Sequence, residues 1–299
     1  MHCGGEHFVS HRYCGRTFTA EDIQRIAELI RGSPQTSRAM LSRRVCEMFH
    51  WRKPDGGIKE MSCRVAMLRM QADGLITLPP RRAANFDGRR GAPAVTAATD
   101  PKSAITASVD RLPPLEFLPV SAQTREGSRL WNEYVQRYHY LGYTHLSGAQ
   151  LRYFVAIEGQ FVALLGFGAA AWKIAPRDQF IGWSPQQRHQ HRHLIVNNAR
   201  FLILPWVRSK GLASKILGRI ARRLPTDWQQ RYGYRPVLLE TFVQSDRFRG
   251  TCYKAANWIH VGQTTGRGKL DVTHQHAIPI KDIWLYPLDH SFRTQLTAA

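Results

Sequence analysis

Long apolar runs are missing from this 299-residue chain. None approaches the roughly 18–20 residues that a membrane-spanning helix needs, so no span is expected. Cysteine is scarce. Five residues, scattered through a chain of this size, form no disulfide framework, and they point to a reducing, cytoplasmic setting. An apolar signal stretch is also absent: the first 16 residues hold Glu6, Arg12, Arg16 and three histidines, so secretion is not expected. Acidic residues are few, 22 Asp and Glu against 42 Lys and Arg, which leaves a formal charge of +20. That deficit favours a polyanionic partner, because basic side chains release condensed counterions from nucleic-acid phosphates. What the chain does have is a core. Hydrophobic residues make up 43%, with 8 Trp, 13 Phe and 10 Tyr, which excludes general disorder.

The charge is uneven. Residues 1–82 hold 14 basic against 8 acidic residues, whereas residues 113–299 hold 24 against 11. The stretch 83–112 contains Asn85-Phe86-Asp87-Gly88, Gly91-Ala92-Pro93 and mostly small residues from Ala94 to Thr99. It offers almost nothing to bury and reads as a linker. The expected organisation is a flexible extension over 1–12, a small domain over 13–82, this linker, and a basic α/β domain over 113–299.

The small domain reads as helical. Thr19 with Asp22 three residues on makes a weak capping box, and Ile23, Ile26, Ala27 and Ile30 follow at helical spacing. Gly32-Ser33-Pro34 stops that helix. Ser37 caps a second, with Leu41, Val45, Met48 and Phe49 as its apolar stripe. After a turn at Pro54-Asp55-Gly56-Gly57, a third helix is expected to turn Ile58, Met61, Val65 and Leu68 inward. Lys59, Arg64 and Arg69 would then be left outside. Leu75 to Leu78 reads as a short strand. Three helices followed by a strand and Arg81-Arg82 is the order of a winged helix-turn-helix, whose third helix enters the DNA major groove. The alternative is a small three-helix bundle with a solvated basic face.

The C-terminal stretch mixes helix and strand signals. A helix is expected over Trp131–Tyr140 and a hairpin over Tyr153–Ile157 and Phe161–Phe167 around Glu158-Gly159. Further strands are expected at Phe201–Leu204, Pro236–Val243, Trp258–Gly262 and Trp284–Tyr286, and further helices at Leu212–Leu224 and Phe248–Asn257. Gln187 to His193, with His189, His191 and His193 in alternation, reads as a solvated, phosphate-facing loop.

Several residues could carry chemistry. Glu240 sits near a strand end among Leu238, Leu239, Phe242 and Val243. Partial desolvation there would suit a general base or a metal ligand, and a salt bridge is the bland alternative. Tyr253 is a candidate nucleophile on a phosphodiester, with Arg200, Lys254, Arg267 and Lys269 as phosphate clamps, and equally a core aromatic. His139, between Tyr138 and Tyr140, is a candidate base or part of a packed helix end. Asp178, Asp227 and Glu240 could form a three-carboxylate site for a divalent metal, although the spacing alone is weak. Cys3, His7, His11 and Cys14 could ligate zinc but match no finger spacing, and an incidental cluster is favoured. Gly262–Lys269 is glycine-rich and basic without P-loop spacing, so it is a backbone phosphate contact or a plain turn.

The junction Phe201–Leu204, Arg208-Ser209-Lys210-Gly211-Leu212-Ala213 and the helix that follows has the make-up of an anion site. With Glu240, Tyr253 and Trp258–Gly262 after it, the order over about 150–265 resembles the acetyl-coenzyme-A-dependent GNAT acyltransferase fold. The resemblance implies that the basic turn, including Arg208 and Lys210, holds the cofactor's pyrophosphate and that Tyr253 acts as general acid. Ala213 stands where that family's turn usually has a second glycine. The same turn could hold a DNA phosphate or simply cap a helix.

A second resemblance rests on longer strings: Tyr13-Cys14-Gly15-Arg16, Met61-Ser62-Cys63-Arg64-Val65-Ala66, Tyr138-His139-Tyr140-Leu141-Gly142, Arg177-Asp178 with Ile181-Gly182-Trp183, Arg200-Phe201-Leu202-Ile203, Leu239-Glu240-Thr241-Phe242-Val243, Gly250 to Trp258 and Thr265 to Lys269. These resemble the DruA family, found in Druantia antiphage systems and in relatives carried by insertion elements. The resemblance implies DNA-related work in phage defence or transposition. The expected fold is thus mixed α/β, GNAT-like in its C-terminal domain, preceded by a mainly helical, winged-helix-like domain. The leading functional expectation is DNA strand cleavage or transfer, with DNA and defence or transposon proteins as partners. The alternatives are an acyltransferase and a non-enzymatic DNA-binding adaptor.

Overall fold

The computed structural model describes residues 10–53, 56–80, 92–120, 125–146, 148–266 and 278–298. The chain divides into two compact units, Met1–Arg89 and Arg90–Ala299.

The first unit opens with an antiparallel pair, β1 (Ser10–Tyr13) and β2 (Arg16–Thr19), turned by Cys14 and Gly15 at positive φ. Thus residues 10–12, expected to belong to a flexible extension, lie in a strand. Helix α1 (Ala20–Arg31) starts with the expected capping box, in which the Thr19 hydroxyl accepts from the Asp22 N–H. Ile23, Ile26 and Ile30 form its buried stripe. Helix α2 (Arg38–Met48) is capped by Ser37, as its sequence predicts.

Helix α3 (Glu60–Ala72) departs from expectation in its rotation. Cys63, Ala66, Met67 and Met70 face the core, whereas Met61, Val65 and Leu68 are exposed. Two apolar stripes run along this helix, and the sulfur-rich one packs inward. The expected strand at Leu75–Leu78 is not formed. Leu78 N–H donates to the Gln71 side chain, and Ile76 and Leu78 fill the core as extended chain. Arg16 closes that core from the edge, with its guanidinium 5.2 Å from the Phe49 ring centre and donating to the Phe49 carbonyl.

The second unit is a mixed α/β body. It contains β3 (Glu116–Pro119), α4 (Arg125–Tyr138), β4 (Leu151–Ile157), β5 (Gln160–Ala169), α5 (Ala175–Ile181), α6 (Pro185–His191) and β6 (Ile195–Ile203). It continues with α7 (Leu212–Tyr232), β7 (Leu238–Gln244), α8 (Thr251–Ala255), β8 (Ile259–Gln263), β9 (Lys281–Pro287) and α9 (Phe292–Leu296). The strands form one seven-stranded sheet in the order β3-β4-β5-β6-β7-β9-β8. Only β6 and β7 pair in parallel; the rest pair antiparallel. The parallel pair is joined through α7, the strand–turn–helix–strand order that the GNAT resemblance implies. The hairpin at Glu158-Gly159 forms as expected, both residues with positive φ.

Two regions differ from the sequence-based expectation. Half of the stretch taken as a linker is built into this body. Glu133 of α4, 2% exposed, accepts from the Thr96 and Thr99 hydroxyls at 2.8 and 2.9 Å. Burial works against its charge, yet these bonds and one from the Thr96 N–H hold its carboxyl below the usual range. Ile105 then forms a parallel bridge with Val207. Gln187 to His193 is helix and a 3-10 turn rather than loop: Ser184 and Gln187 make a capping box and Pro185 starts α6. Among the described residues, no helix is long and apolar enough to cross a membrane.

Candidate functional site

The parallel pairing of β6 and β7 is short, running from Ile195–Asn197 against Leu238–Glu240. Beyond it β6 carries a bulge at Ala199 against Gly166 and Phe167 of β5, and no further pairing joins the two strands. Bulges bend and twist a strand, and this one accompanies the divergence of β6 from β7. A cavity of about 480 Å³ opens in the wedge, within the range of small-ligand clefts.

Polar side chains mark its apex. Thr241 of β7 donates to the Asn198 carbonyl at 3.0 Å, and the Tyr253 hydroxyl donates to Asn198 Oδ1 at 3.1 Å. All three are buried. Burial pushes the Tyr253 phenol well above its ordinary value. Gly250 sets α8 against the sheet: its φ is +65°, and a Cβ there would lie 2.8 Å from the Trp284 indole. Only glycine meets both conditions without strain.

The mouth is aromatic and basic. The Arg247 guanidinium stands 4.9 Å from the Tyr140 ring centre and 5.7 Å from that of Phe248, and the two rings meet edge to face at 5.1 Å. His139 is neutral at neutral pH, its pKa lowered to about 4 by burial and then by Arg200 and Arg247. Its Nδ1 accepts from the Leu141 N–H at 3.2 Å, so the ring is a hydrogen-bonding wall and a weak base. Arg200 donates to Thr144 and to the Ala199 carbonyl. Lys281, at the start of β9, is lowered by burial and by Arg200. Arg200 thus lies near enough to His139 and Lys281 for each to feel its charge, while Asp246 adds one negative charge near Tyr140.

Glu240 is not part of this cleft. Side chains alternate along a strand, so Thr241 faces Tyr253 while Glu240 faces the other side of the sheet. There it is 0% exposed, 2.7 Å from Arg177 Nη1, and it accepts from the Ala171 N–H at 2.7 Å. Asp178 binds Arg177 and Arg188 at 2.8 and 3.2 Å. Asp227 accepts from Arg223 and from the Tyr153 hydroxyl. The three carboxylates expected to share a metal are each tied to arginine, and Asp227 lies on α7. Among the described residues, no cluster of three or more histidine, cysteine or acidic side chains could hold a metal ion.

The remaining expected contacts are spread out. Arg208 and Lys210 are exposed on the turn before α7, and Lys254 is exposed on α8. In the first unit Arg69 is exposed and Lys59 half-buried at the start of α3, while Arg64 is paired with Glu60. Arg267 and Lys269 lie outside the described residues, as do Cys3 and His7. Three residues to which sequence reasoning gave no site role shape the cleft, Asn198, Arg247 and Phe248, and a fourth, Thr241, was quoted only within a family string. The signal for Asn198 was the amide pair Asn197-Asn198 after Leu194-Ile195-Val196 in a strand-like run, because buried amides need partners.

The turn that the GNAT resemblance assigns to a cofactor pyrophosphate is used by the chain itself. Arg208 N–H donates to the Ile105 carbonyl at 2.8 Å, and Lys215 Nζ to that of Val109 at 2.9 Å. A Cβ on Gly211 would meet Val109 Cγ1 at 3.2 Å, so the space freed by that glycine holds a valine.

The family described as "Druantia protein DruA" matches residues 71–286, more than two thirds of the chain. The strings at Tyr13–Arg16 and Met61–Ala66 fall outside that match. No curated protein matches the chain. Solved structures similar to it include yncA, a putative acetyltransferase from Salmonella typhimurium. It is 15% identical, with a TM-score of 0.30, over 47% of this chain and 66% of that one, so the chain spans just under two thirds of its length. The ribosomal-protein-S18-alanine N-acetyltransferase from Escherichia coli is 9% identical, with a TM-score of 0.36, over 59% and 95%. An N-acetyltransferase from Staphylococcus aureus Mu50 is 16% identical, with a TM-score of 0.32, over 56% and 80%.

Proposed function

Because the chain belongs to the Druantia protein DruA family, a family of antiphage defence, we propose that it binds nucleic acid in the course of that defence and that the wedge between β6 and β7 receives a nucleotide. The observation that carries this reading is the mouth of the wedge. Phe248 offers an exposed ring, Tyr140, stacked on His139 and covered by Arg247, backs it edge to face, and Arg247 and Arg200 offer charge beside a cleft large enough for a base and its sugar phosphate. Basic side chains interleaved with aromatic ones are the chemistry of single-stranded nucleic-acid grooves, where bases stack and phosphates pair with cations. The charge of residues 113–299 agrees, 24 basic residues against 11 acidic.

Binding is the activity the geometry supports best. Strand cleavage by Tyr253 with Glu240 as its acid, base or metal ligand has no support from the arrangement. Glu240 is across the sheet in an ion pair, and the Tyr253 phenol is buried, raised in pKa and bonded to Asn198. Its place is at the floor of the cleft, where it sets shape. A transposition role likewise has no catalytic set to rest on among the described residues.

The test is a salt titration of oligonucleotide binding. Wild type should bind single-stranded DNA with a steep loss of affinity as salt rises, at roughly 0.7 in log K per log salt for each phosphate engaged. Arg247→Ala should weaken binding and reduce that slope by nearly one contact. A flat salt dependence, or an unchanged slope in Arg247→Ala, overturns the reading.

A further inference from the structure

The connection that follows β5 is clamped from three sides. Ala171 N–H donates to Glu240 Oε1 at 2.7 Å, and its carbonyl accepts from Arg177 Nη1 at 2.9 Å. The Ala170 carbonyl accepts from Arg192 Nη1 at 2.9 Å. Glu240 and Arg177 are both 0% exposed. Burying such a pair has a high desolvation cost, so it is weak evidence for stability and better evidence for a fixed geometry.

What the clamp presents is the next residue. Trp172 is 56% exposed, the most exposed tryptophan among the described residues. One face of its indole rests on the Arg192 guanidinium at 4.5 Å, and the His189 ring stands edge-on at 6.0 Å. Lys173 follows it, exposed. The nearby carboxylates are spoken for, Glu240 by Arg177 and Asp178 by Arg177 and Arg188. A large flat ring held in place, backed by one cation and flanked by another, with the neighbouring acids Glu240 and Asp178 already paired among the described residues, matches the needs of an unpaired base and its phosphate.

We propose that Trp172, backed by Arg192, is a stacking platform for an unpaired base of single-stranded nucleic acid, with Lys173 meeting the adjacent phosphate. Glu240 acts as a positioning residue: through the Ala171 N–H it fixes the backbone from which Trp172 projects. Duplex bases are stacked on one another and offer no free face to an indole, so the platform selects single strands. The platform rests on the nucleic-acid reading above, but it is built from residues that do not line the cleft.

The experiment is a fluorescence-quenching titration with an oligo-dT 12-mer on wild type, Trp172→Ala, Trp172→Phe, Arg247→Ala and Glu240→Gln, each checked for folding by circular dichroism and melting. Trp172→Ala should bind about tenfold more weakly, in line with the loss of one base stack, and Trp172→Phe should keep most of the affinity. The quench amplitude should fall in Trp172→Phe and persist in Arg247→Ala at saturation. Wild-type affinity in Trp172→Ala together with weakened Arg247→Ala overturns the platform and leaves the cleft reading standing. Failure of wild type to bind the oligonucleotide overturns both. For Glu240→Gln, lower affinity and a smaller quench amplitude in a folded protein support positioning, and an unchanged amplitude overturns it even if the melting temperature drops.

Discussion

Removing Arg177 puts the account of Glu240 at direct risk. The guanidinium is fully buried and makes four hydrogen bonds: Nη1 to Glu240 and to the Ala171 carbonyl, Nε and Nη2 to Asp178. Arg177→Met keeps much of the volume and removes the charge. Asp178 then still has Arg188 at 3.2 Å, but Glu240 keeps the Ala171 N–H as its one remaining hydrogen bond, with Arg192 near enough to offset only part of its charge. Breaking a buried pair by deleting one member costs about 3–5 kcal/mol, because the survivor is an uncompensated charge. In a unit of this size that corresponds to a fall of roughly 6–20 °C in melting temperature. Thermal and urea unfolding of Arg177→Met, Glu240→Leu and the double variant measure it. The double variant should be more stable than Arg177→Met, since no buried charge is stranded. A single-variant cost below about 1 kcal/mol, or a double variant as unstable as the two singles added, would refute the claim that the pair is buried and mutually dependent.

Other outcomes follow from the same structure. Protonation of His139 is disfavoured on folding, from 6.5 to about 4, so its stabilising share is full above pH 6.5 and is lost as the pH falls toward 4. His139→Gln should flatten the stability profile in that window, and the His139 ring signals should show no titration between pH 5.5 and 8 by NMR. Gly250→Ala should destabilise by about 2–4 kcal/mol in chemical denaturation, from positive φ together with overlap with Trp284. On α3, Val65→Lys should be close to neutral, whereas Met70→Ala should cost about 2–5 kcal/mol. The reverse order would restore the rotation that the apolar spacing first suggested.

Much of the fold was legible in the sequence where local signals were unambiguous. Thr19 and Asp22, Ser37, and Glu158-Gly159 each formed the cap or turn their chemistry predicts. Helix α3 was not legible, because Met61, Val65 and Leu68 and the set Cys63, Ala66, Met67 and Met70 are both apolar at helical spacing, and only the neighbouring helices decide between them. The small residues from Ala94 to Thr99 concealed a role that depends on Glu133, a carboxylate 34 positions beyond Thr99. For the site, the quoted strings were a better guide than single reactive residues: Tyr138–Gly142, Arg200–Ile203, Leu239–Val243 and Gly250–Trp258 all contribute to the walls of one cleft. Glu240 was singled out for being a carboxylate among apolar residues, which is also the description of half of a buried ion pair. Strand alternation separates it from Tyr253, a distinction the spacing of 13 residues did not carry.

The central claim, that the wedge between β6 and β7 receives a nucleotide, is tested most directly by photocrosslinking. A single-stranded oligonucleotide bearing 5-iododeoxyuridine, irradiated with the full chain and mapped by mass spectrometry, should label Tyr140 and Phe248. The labelling should be competed by unmodified single strand and should fade as salt rises. Efficient crosslinking confined to residues 10–80, with Tyr140 and Phe248 unlabelled, would contradict it.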